Sequence, residues 1–378
     1  MKKPISSLVK EYLRTLKPCV HGGEVLDAAV KSGIKCEDLL DFSSSVNPLG
    51  TSKKALLAVE AVFSQVAAYP DSASTELREV IAKHYGVAVE NIVVGNGSTE
   101  LVYLFAGSFL SEGDLVVMAA PTFGEYEGAV RRAGADVCFV RLGDDQLLDV
   151  DAFIAKLVEA KMAFICNPNN PTSLLVPSEG LERILDVALE LGVLVFLDED
   201  FLEFVEEEQK FSFIGRIGKY SNLFILRSFT KLFGLTGLRV GYGIANKEII
   251  DVLMRVKIPW NVNCLAQAAA VVALGDVDHL KKTRDLICEE KAYLQKGLEG
   301  VRGFRVYAPD ANFFFIDIRE SGFTAAELTQ KLLMRGIMIR DCSSFKGLEP
   351  YYIRVAVKRH EENVQLLRVL EEILGKVI

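Results

Sequence analysis

Ser228-Phe-Thr-Lys231-Leu-Phe-Gly-Leu-Thr-Gly-Leu-Arg239-Val-Gly241 is the stretch whose reading decides this chain. It sets a lysine three residues after a serine and eight before an arginine, among apolar residues and glycines. Shielding from water and a neighbouring cation lower the proton affinity of an amine and free it for nucleophilic imine chemistry. Ser228 and Arg239 are placed to bracket a phosphate, the arginine through two parallel charge-assisted hydrogen bonds. The competing reading of the same residues is a helix-flanking surface lysine and a packing arginine.

Around this stretch the chain alternates short apolar runs with amphipathic segments. Asn91–Val94, Leu115–Ala119, Val137–Val140, Met162–Cys166, Val193–Leu197, Leu223–Leu226 and Val240–Ile244 read as strands, with helices between most of them. Continuous β-branched runs separated by helices predict an α/β fold with a mostly parallel sheet covered on both faces. In such sheets ligands bind beyond the carboxyl ends of the strands. Helical patterning then dominates from Lys247 to Gly300. Four further strand-like runs follow, Phe304–Tyr307, Asn312–Asp317, Ile337–Arg340 and Tyr352–Val357, with helices at Ala325–Arg335 and Glu361–Leu374, which predicts a smaller α+β domain. The expected division is an arm over 1–40 packing on the small domain, a large domain over 41–265 and a small domain over 266–378.

The chain has 378 residues, half of them hydrophobic, enough for a large core. A net charge of −8 argues against a nucleic-acid partner. No apolar run reaches the length of a membrane span, and no signal peptide is read at the N-terminus. The seven cysteines are scattered without a paired motif, and the four histidines lack metal-ligand spacing. Reduced thiols, a cytoplasmic location and no metal are expected.

Other motifs fall at the ends of predicted strands. Gly95-Asn-Gly-Ser98-Thr99-Glu100 joins a strand to a helix, where free N–H groups attract an anion; the same residues also suit an ordinary helix cap. Asp198 closes the run Val-Leu-Val-Phe-Leu and needs a cationic partner if buried, either a protonated pyridine nitrogen or a structural Arg or Lys. Glu199 and Asp200, next along, are expected to face solvent. In Asn167-Pro-Asn-Asn170-Pro-Thr172 two prolines shape a turn that points an amide inward, or simply make a turn. Phe123 either stacks on a ring or packs in the core. Arg340 and Arg354 close two strands of the small domain and suit a substrate with two anionic ends, or surface ion pairs. A reactive amine, a phosphate cradle, a carboxylate for a ring nitrogen and a stacking ring together suggest pyridoxal 5′-phosphate (PLP).

The ordered set resembles the fold type I PLP enzymes over nearly the whole chain. That resemblance implies Lys231 as the Schiff-base lysine, Asp198 as partner of the pyridinium, Asn170 against the phenolic oxygen and Phe123 on the ring face. It implies Ser98, Thr99, Ser228 and Arg239 around the phosphate, and Arg354 on a substrate carboxylate. Tyr69, in Ala-Tyr-Pro-Asp, would reach the phosphate bound by a partner subunit, so a homodimer is expected.

Two branches of the family compete. Histidinol-phosphate aminotransferases share most of these motifs. The L-threonine-O-3-phosphate decarboxylase branch of cobalamin biosynthesis resembles the chain in His21-Gly-Gly-Glu-Val and Asp41-Phe-Ser-Ser-Ser-Val-Asn47-Pro-Leu-Gly. It is also similar in Ile258-Pro-Trp-Asn-Val-Asn263 and in the segment from Arg340 to Arg354. The aminotransferase pattern Asp-Glu-Ala-Tyr is Asp198-Glu-Asp-Phe201 here, and the decarboxylase branch also carries Phe. Asp200 replaces a residue that is small in both and is expected to point away from the ring. The expectation is therefore decarboxylation of O-phospho-L-threonine to 1-amino-2-propanol O-phosphate. Arg340, with His21 and Asn263, would hold the substrate phosphate. The alternatives are histidinol-phosphate transamination, O-phosphoserine decarboxylation, and a non-enzymatic cofactor-binding regulator.

Overall fold

A computed structural model describes residues 4–375; residues 1–3 of the expected 1–40 arm and 376–378 at the other end lie outside the described residues. A seven-stranded sheet dominates. Its strands run in the spatial order Ile92–Gly95, Gly241–Ala245, Leu223–Ser228, Leu194–Asp198, Met162–Cys166, Leu115–Ala120 and Asp136–Arg141. All neighbours pair in parallel except around Gly241–Ala245, which is antiparallel to both of its partners. The physical reason lies in the connection. Parallel strands need a crossover long enough to cross a face of the sheet, whereas Ser228 returns to Gly241 through a loop holding only one short 3₁₀ turn, Thr236–Leu238. Lys231 sits in that loop, beyond the carboxyl end of Leu223–Ser228.

The pleat sorts the apolar runs onto two covered faces. Val195, Leu197 and Ile225 pack on one side with Leu181, Ile184 and Ala188 of the helix Ser178–Leu191. Phe196, Phe224 and Leu226 pack on the other with Phe105 of the helix Ser98–Phe109. There the Phe105 ring lies 5.2 Å from Phe196 and 4.9 Å from Phe224. Both faces being apolar is why the strands read as unbroken hydrophobic runs rather than as alternation.

The helical stretch after Ala245 is three helices, Lys247–Val256, Cys264–Leu274 and Val277–Glu299. A four-stranded antiparallel sheet follows, ordered Arg340–Asp341, Tyr352–Ala356, Phe313–Asp317 and Arg305–Tyr307. The run expected as one strand over Ile337–Arg340 divides. Ile337–Met338 pairs in parallel with Leu40–Asp41, while Arg340–Asp341 joins the four-stranded sheet. Ala28 and Leu39 pack against Met338, so the N-terminal segment lies on the C-terminal part of the chain. No helix among the described residues is long and apolar enough to cross a membrane.

Candidate active site

An open cleft of about 910 Å³ lies at the carboxyl ends of the central strands. It gathers Ser98, Thr99, Phe123, Asn170, Asp198, Lys231 and Arg239 from the large sheet and its loops, Arg340 and Arg354 from the small sheet, and His21 from the N-terminal segment. Ser228 is fully buried, with its Oγ accepting from the Thr230 N–H at 3.0 Å.

The phosphate-sized end is built by backbone. Gly97 holds φ +82°, and a Cβ there would run into the Arg239 guanidinium. At Gly241 a Cβ would stand 2.7 Å from the Ser98 nitrogen. These two positions let the helix start, the arginine and the lysine loop close on one another. The helix beginning at Ser98 has no side-chain cap, so its first N–H groups and the Ser98 and Thr99 hydroxyls remain for an anion. The alternative in which Ser98 or Thr99 caps the helix is not what the chain adopts. Glu100 instead accepts from the Asn96 N–H at 2.6 Å and from Asn261 at 2.7 Å.

Asp198 is buried at the other end. Its Oδ2 accepts from the Tyr126 hydroxyl at 2.5 Å and its Oδ1 from the Asp200 N–H at 2.9 Å. Tyr126 escaped the sequence reading, although it lies three residues after Phe123 in the same loop-to-helix segment. Burial, reinforced by nearby Asp200, pushes the Asp198 carboxyl up to about 7. A carboxyl raised above its unfolded value stabilises the fold while it is protonated, and that contribution is lost as pH rises through the folded value. In the cofactor-free protein, Asp198→Asn is therefore expected to gain thermal stability relative to the parent as pH goes from about 5 to about 8. Melting curves at both pH values check this, and a constant difference would refute it.

Asn170 is oriented by Arg354, whose Nη1 donates to the Asn170 Oδ1 at 2.6 Å. This leaves the Asn170 Nδ2 hydrogens as the donors toward the cleft. The second arm of Arg354 donates to the Ser43 carbonyl at 2.7 Å, and its Nε is buried without a partner. Lys231 is half-buried. Burial lowers its proton affinity, Arg354 and Arg239 push the same way, and Asp200 and Asp198 resist.

Several expectations need correction. Glu199 is not solvent-facing but fully buried, 2.7 Å from the Nη2 of an equally buried Arg227. Asp200 does not point away; it is 9% exposed and lines the cleft. Asn263 does not reach the cleft, because its Oδ1 caps the helix Cys264–Leu274 through the Ala266 N–H and its Nδ2 donates to the Leu238 carbonyl. Arg340 lines the cleft, yet its guanidinium donates to the His21 and Val20 carbonyls at 2.9 and 2.7 Å and to the Ser344 hydroxyl. Tyr69, expected at a partner subunit's phosphate rather than in this cleft, is 80% exposed and stacks on Trp260 at 4.4 Å. His21 is fixed by Glu125, whose Oε1 meets its Nε2 at 2.7 Å while the Tyr103 hydroxyl donates to Oε2 at 2.5 Å. Glu125 was not singled out in the sequence, and nothing local to it signals a partner 104 residues away.

A model of the family described as aminotransferase class I and II matches residues 37–370, and the chain belongs to that family. A histidinol-phosphate aminotransferase of Methanosphaera stadtmanae is 33% identical over 97% of this chain and 98% of its own length. The crystal structure of the histidinol-phosphate aminotransferase from Clostridium acetobutylicum superposes with a TM-score of 0.84 at 32% identity, covering 89% of this chain and 99% of that one. The L-threonine-O-3-phosphate decarboxylase from Porphyromonas gingivalis superposes at 0.77 with 28% identity, covering 87% of this chain and 100% of that one.

These findings establish a PLP-dependent enzyme of the aminotransferase family with the α/β fold expected. They overturn the expectation of decarboxylation, because curated relatives at 30–36% identity over nearly the full chain carry the aminotransferase name. The physical reason for the misreading is that both reactions share one cofactor site. Which bond at the substrate carbon breaks depends on its orientation, and motifs that hold the cofactor are silent on that.

The residues present fit PLP. A half-buried amine of lowered proton affinity, a buried carboxylate for a ring nitrogen, an amide donor and an anion cradle face one cleft. The cradle is one that a Cβ at position 97 would obstruct.

Proposed function

We propose that this protein transfers the amino group of histidinol phosphate, or a closely similar phosphorylated primary amine, to a 2-oxo acid. The observation that carries the reading is the juxtaposition in one cleft of the Lys231 amine with the basic side chains His21, Arg340, Lys346 and Arg354. It is supported by the near-full-length similarity to relatives named for that activity.

PLP, when bound, supplies an electron sink that makes the substrate's Cα–H bond labile. Ser98, Thr99, Ser228, Arg239 and the helix N-terminus would hold its phosphate, Asp198 its ring nitrogen and Asn170 its phenolic oxygen. Phe123 would lie on the ring face. Lys231 would take the proton from Cα and hold it for redelivery within the same site, a task that suits an amine of lowered proton affinity. Arg340 and His21 would meet the substrate phosphate at the mouth, and the small sheet and N-terminal segment would keep water from the reacting carbon. Tyr69, stacked on the exposed Trp260, would meet a second copy of the chain.

The test is incubation of the PLP-loaded protein with histidinol phosphate and 2-oxoglutarate. Glutamate forming only when both are present is the expected result. Amine-independent turnover, or CO₂ release with no consumption of the 2-oxo acid, would sink the reading.

A further inference from the structure

We propose that Glu125 is a positioning residue for the substrate's anionic end: its carboxylate, braced by Tyr103, anchors the His21 imidazole and with it the N-terminal segment as a strap at the cleft. The inference deepens the proposed function and rests on the reading of His21 as a contact of the substrate phosphate.

The strap is held from two sides. The small sheet holds its main chain, where Arg340 donates to the Val20 and His21 carbonyls. The Gly23 N–H adds a bond to the Ser43 Oγ at 2.8 Å. The His21 side chain reaches the other way, to Glu125 at the start of the helix Glu125–Arg132, which leads into a strand of the large sheet. The Nε2–Oε1 distance of 2.7 Å joins a partly exposed imidazole to a buried carboxylate. Such a bond is charge-assisted and stronger than the neutral ones along the strap's main chain.

The surroundings of Glu125 are built for this bond. The Tyr103 hydroxyl, from the helix Ser98–Phe109, donates to Oε2 at 2.5 Å. A Cβ at Gly128 would stand 2.9 Å from that hydroxyl, so the bare glycine leaves Tyr103 its path. The bond to His21 holds the Glu125 carboxyl below the usual range against the effect of burial. An ionised carboxylate only accepts, so the Nε2 of His21 carries a hydrogen. Nδ1 is then the ring nitrogen left for substrate in the cleft that His21 lines, and on the protonated ring it donates. The imidazole centre lies 6.0 Å from that of Phe123, two residues before Glu125, so the tie also sets His21 beside that ring.

The test reads the PLP-loaded full-length protein in two ways. Hydrogen exchange across residues 14–24 should quicken in Glu125→Ala and in His21→Ala alike, because either change opens the tie. With histidinol phosphate, Glu125→Ala should raise KM about 10-fold at nearly unchanged kcat, while KM for histidinol, the same amine without its phosphate, stays put. The double variant Glu125→Ala/His21→Ala should be no worse than His21→Ala, since Glu125 acts through that imidazole. Losses that multiply in the double variant overturn the proposal, as does unchanged strap exchange in folded Glu125→Ala. Should Glu125→Ala fail to fold, His21→Ala opens the same tie from the strap, and unchanged exchange there overturns the proposal equally. A parent inert toward histidinol phosphate counts against the proposed function, whereas the exchange comparison, made without substrate, decides whether Glu125 holds the strap.

Discussion

Lys231→Arg is expected to lower turnover by at least about 10²–10⁴-fold, the usual contribution of a positioned proton-transfer group. Arginine keeps the positive charge and much of the length, so the cleft's electrostatics are largely preserved. What it removes is an amine that can lose its proton, because a guanidinium stays protonated at any pH the fold tolerates. Borohydride reduction of the PLP-loaded parent should attach the cofactor's mass to the peptide containing Lys231. In the variant that mass should be missing. If it persists on another lysine, the assignment of Lys231 is wrong and the lowered proton affinity at this position serves another purpose.

The largest expected effect on stability lies behind the cleft. Arg227 and Glu199 are each about 1% exposed, joined by Nη2–Oε2 at 2.7 Å and Nε–Oε2 at 3.0 Å. Glu208 and Glu203 stand farther off, 3.5 and 3.7 Å from the Nη1, and burial pushes the Glu203 carboxyl up. Glu199 makes the shortest contacts with Arg227. Arg227→Met leaves the Glu199 carboxylate buried without its cation, and loss of one member of such a pair costs about 3–5 kcal/mol. Urea unfolding of the cofactor-free protein should show a correspondingly lower midpoint. The double variant Arg227→Met/Glu199→Gln should recover much of the loss, because the coupled residues are not additive. A loss below about 1 kcal/mol in the single variant would place the pair among interactions of surface strength.

The same pair shows where sequence reading stops. Asp198, Asn170 and Lys231 were legible because each follows an unbroken apolar run, and in a sheet covered on both faces the ends of such runs converge. Glu199 looked solvent-facing because a charge after a strand usually is. Its burial depends on Arg227 of the adjacent strand and on Ser212 and the Phe213 N–H, contacts that register and folding create. Asn263 failed differently. An asparagine directly before a helical run is a capping signal, and the family resemblance overrode it. Arg340 lines the cleft, but the carbonyls it binds come from a segment about 320 residues earlier in the chain, and no local pattern encodes that. The antiparallel return of Gly241–Ala245 was readable in principle from the lack of a crossover helix after Ser228.

Arg340 binding the carbonyls of Val20 and His21 has a consequence for how such a protein diversifies. The strand ends and loops of the large sheet form one wall of the cleft, whereas the opposite wall is closed by the N-terminal segment together with Arg340 and Arg354 of the small sheet. A change in the strap's length or composition can alter which molecule is admitted while the anchoring of the ring and its phosphate stays untouched. On that division, a variant altered only in the N-terminal segment is where a changed choice of substrate would show with the residues of the large sheet left as they are.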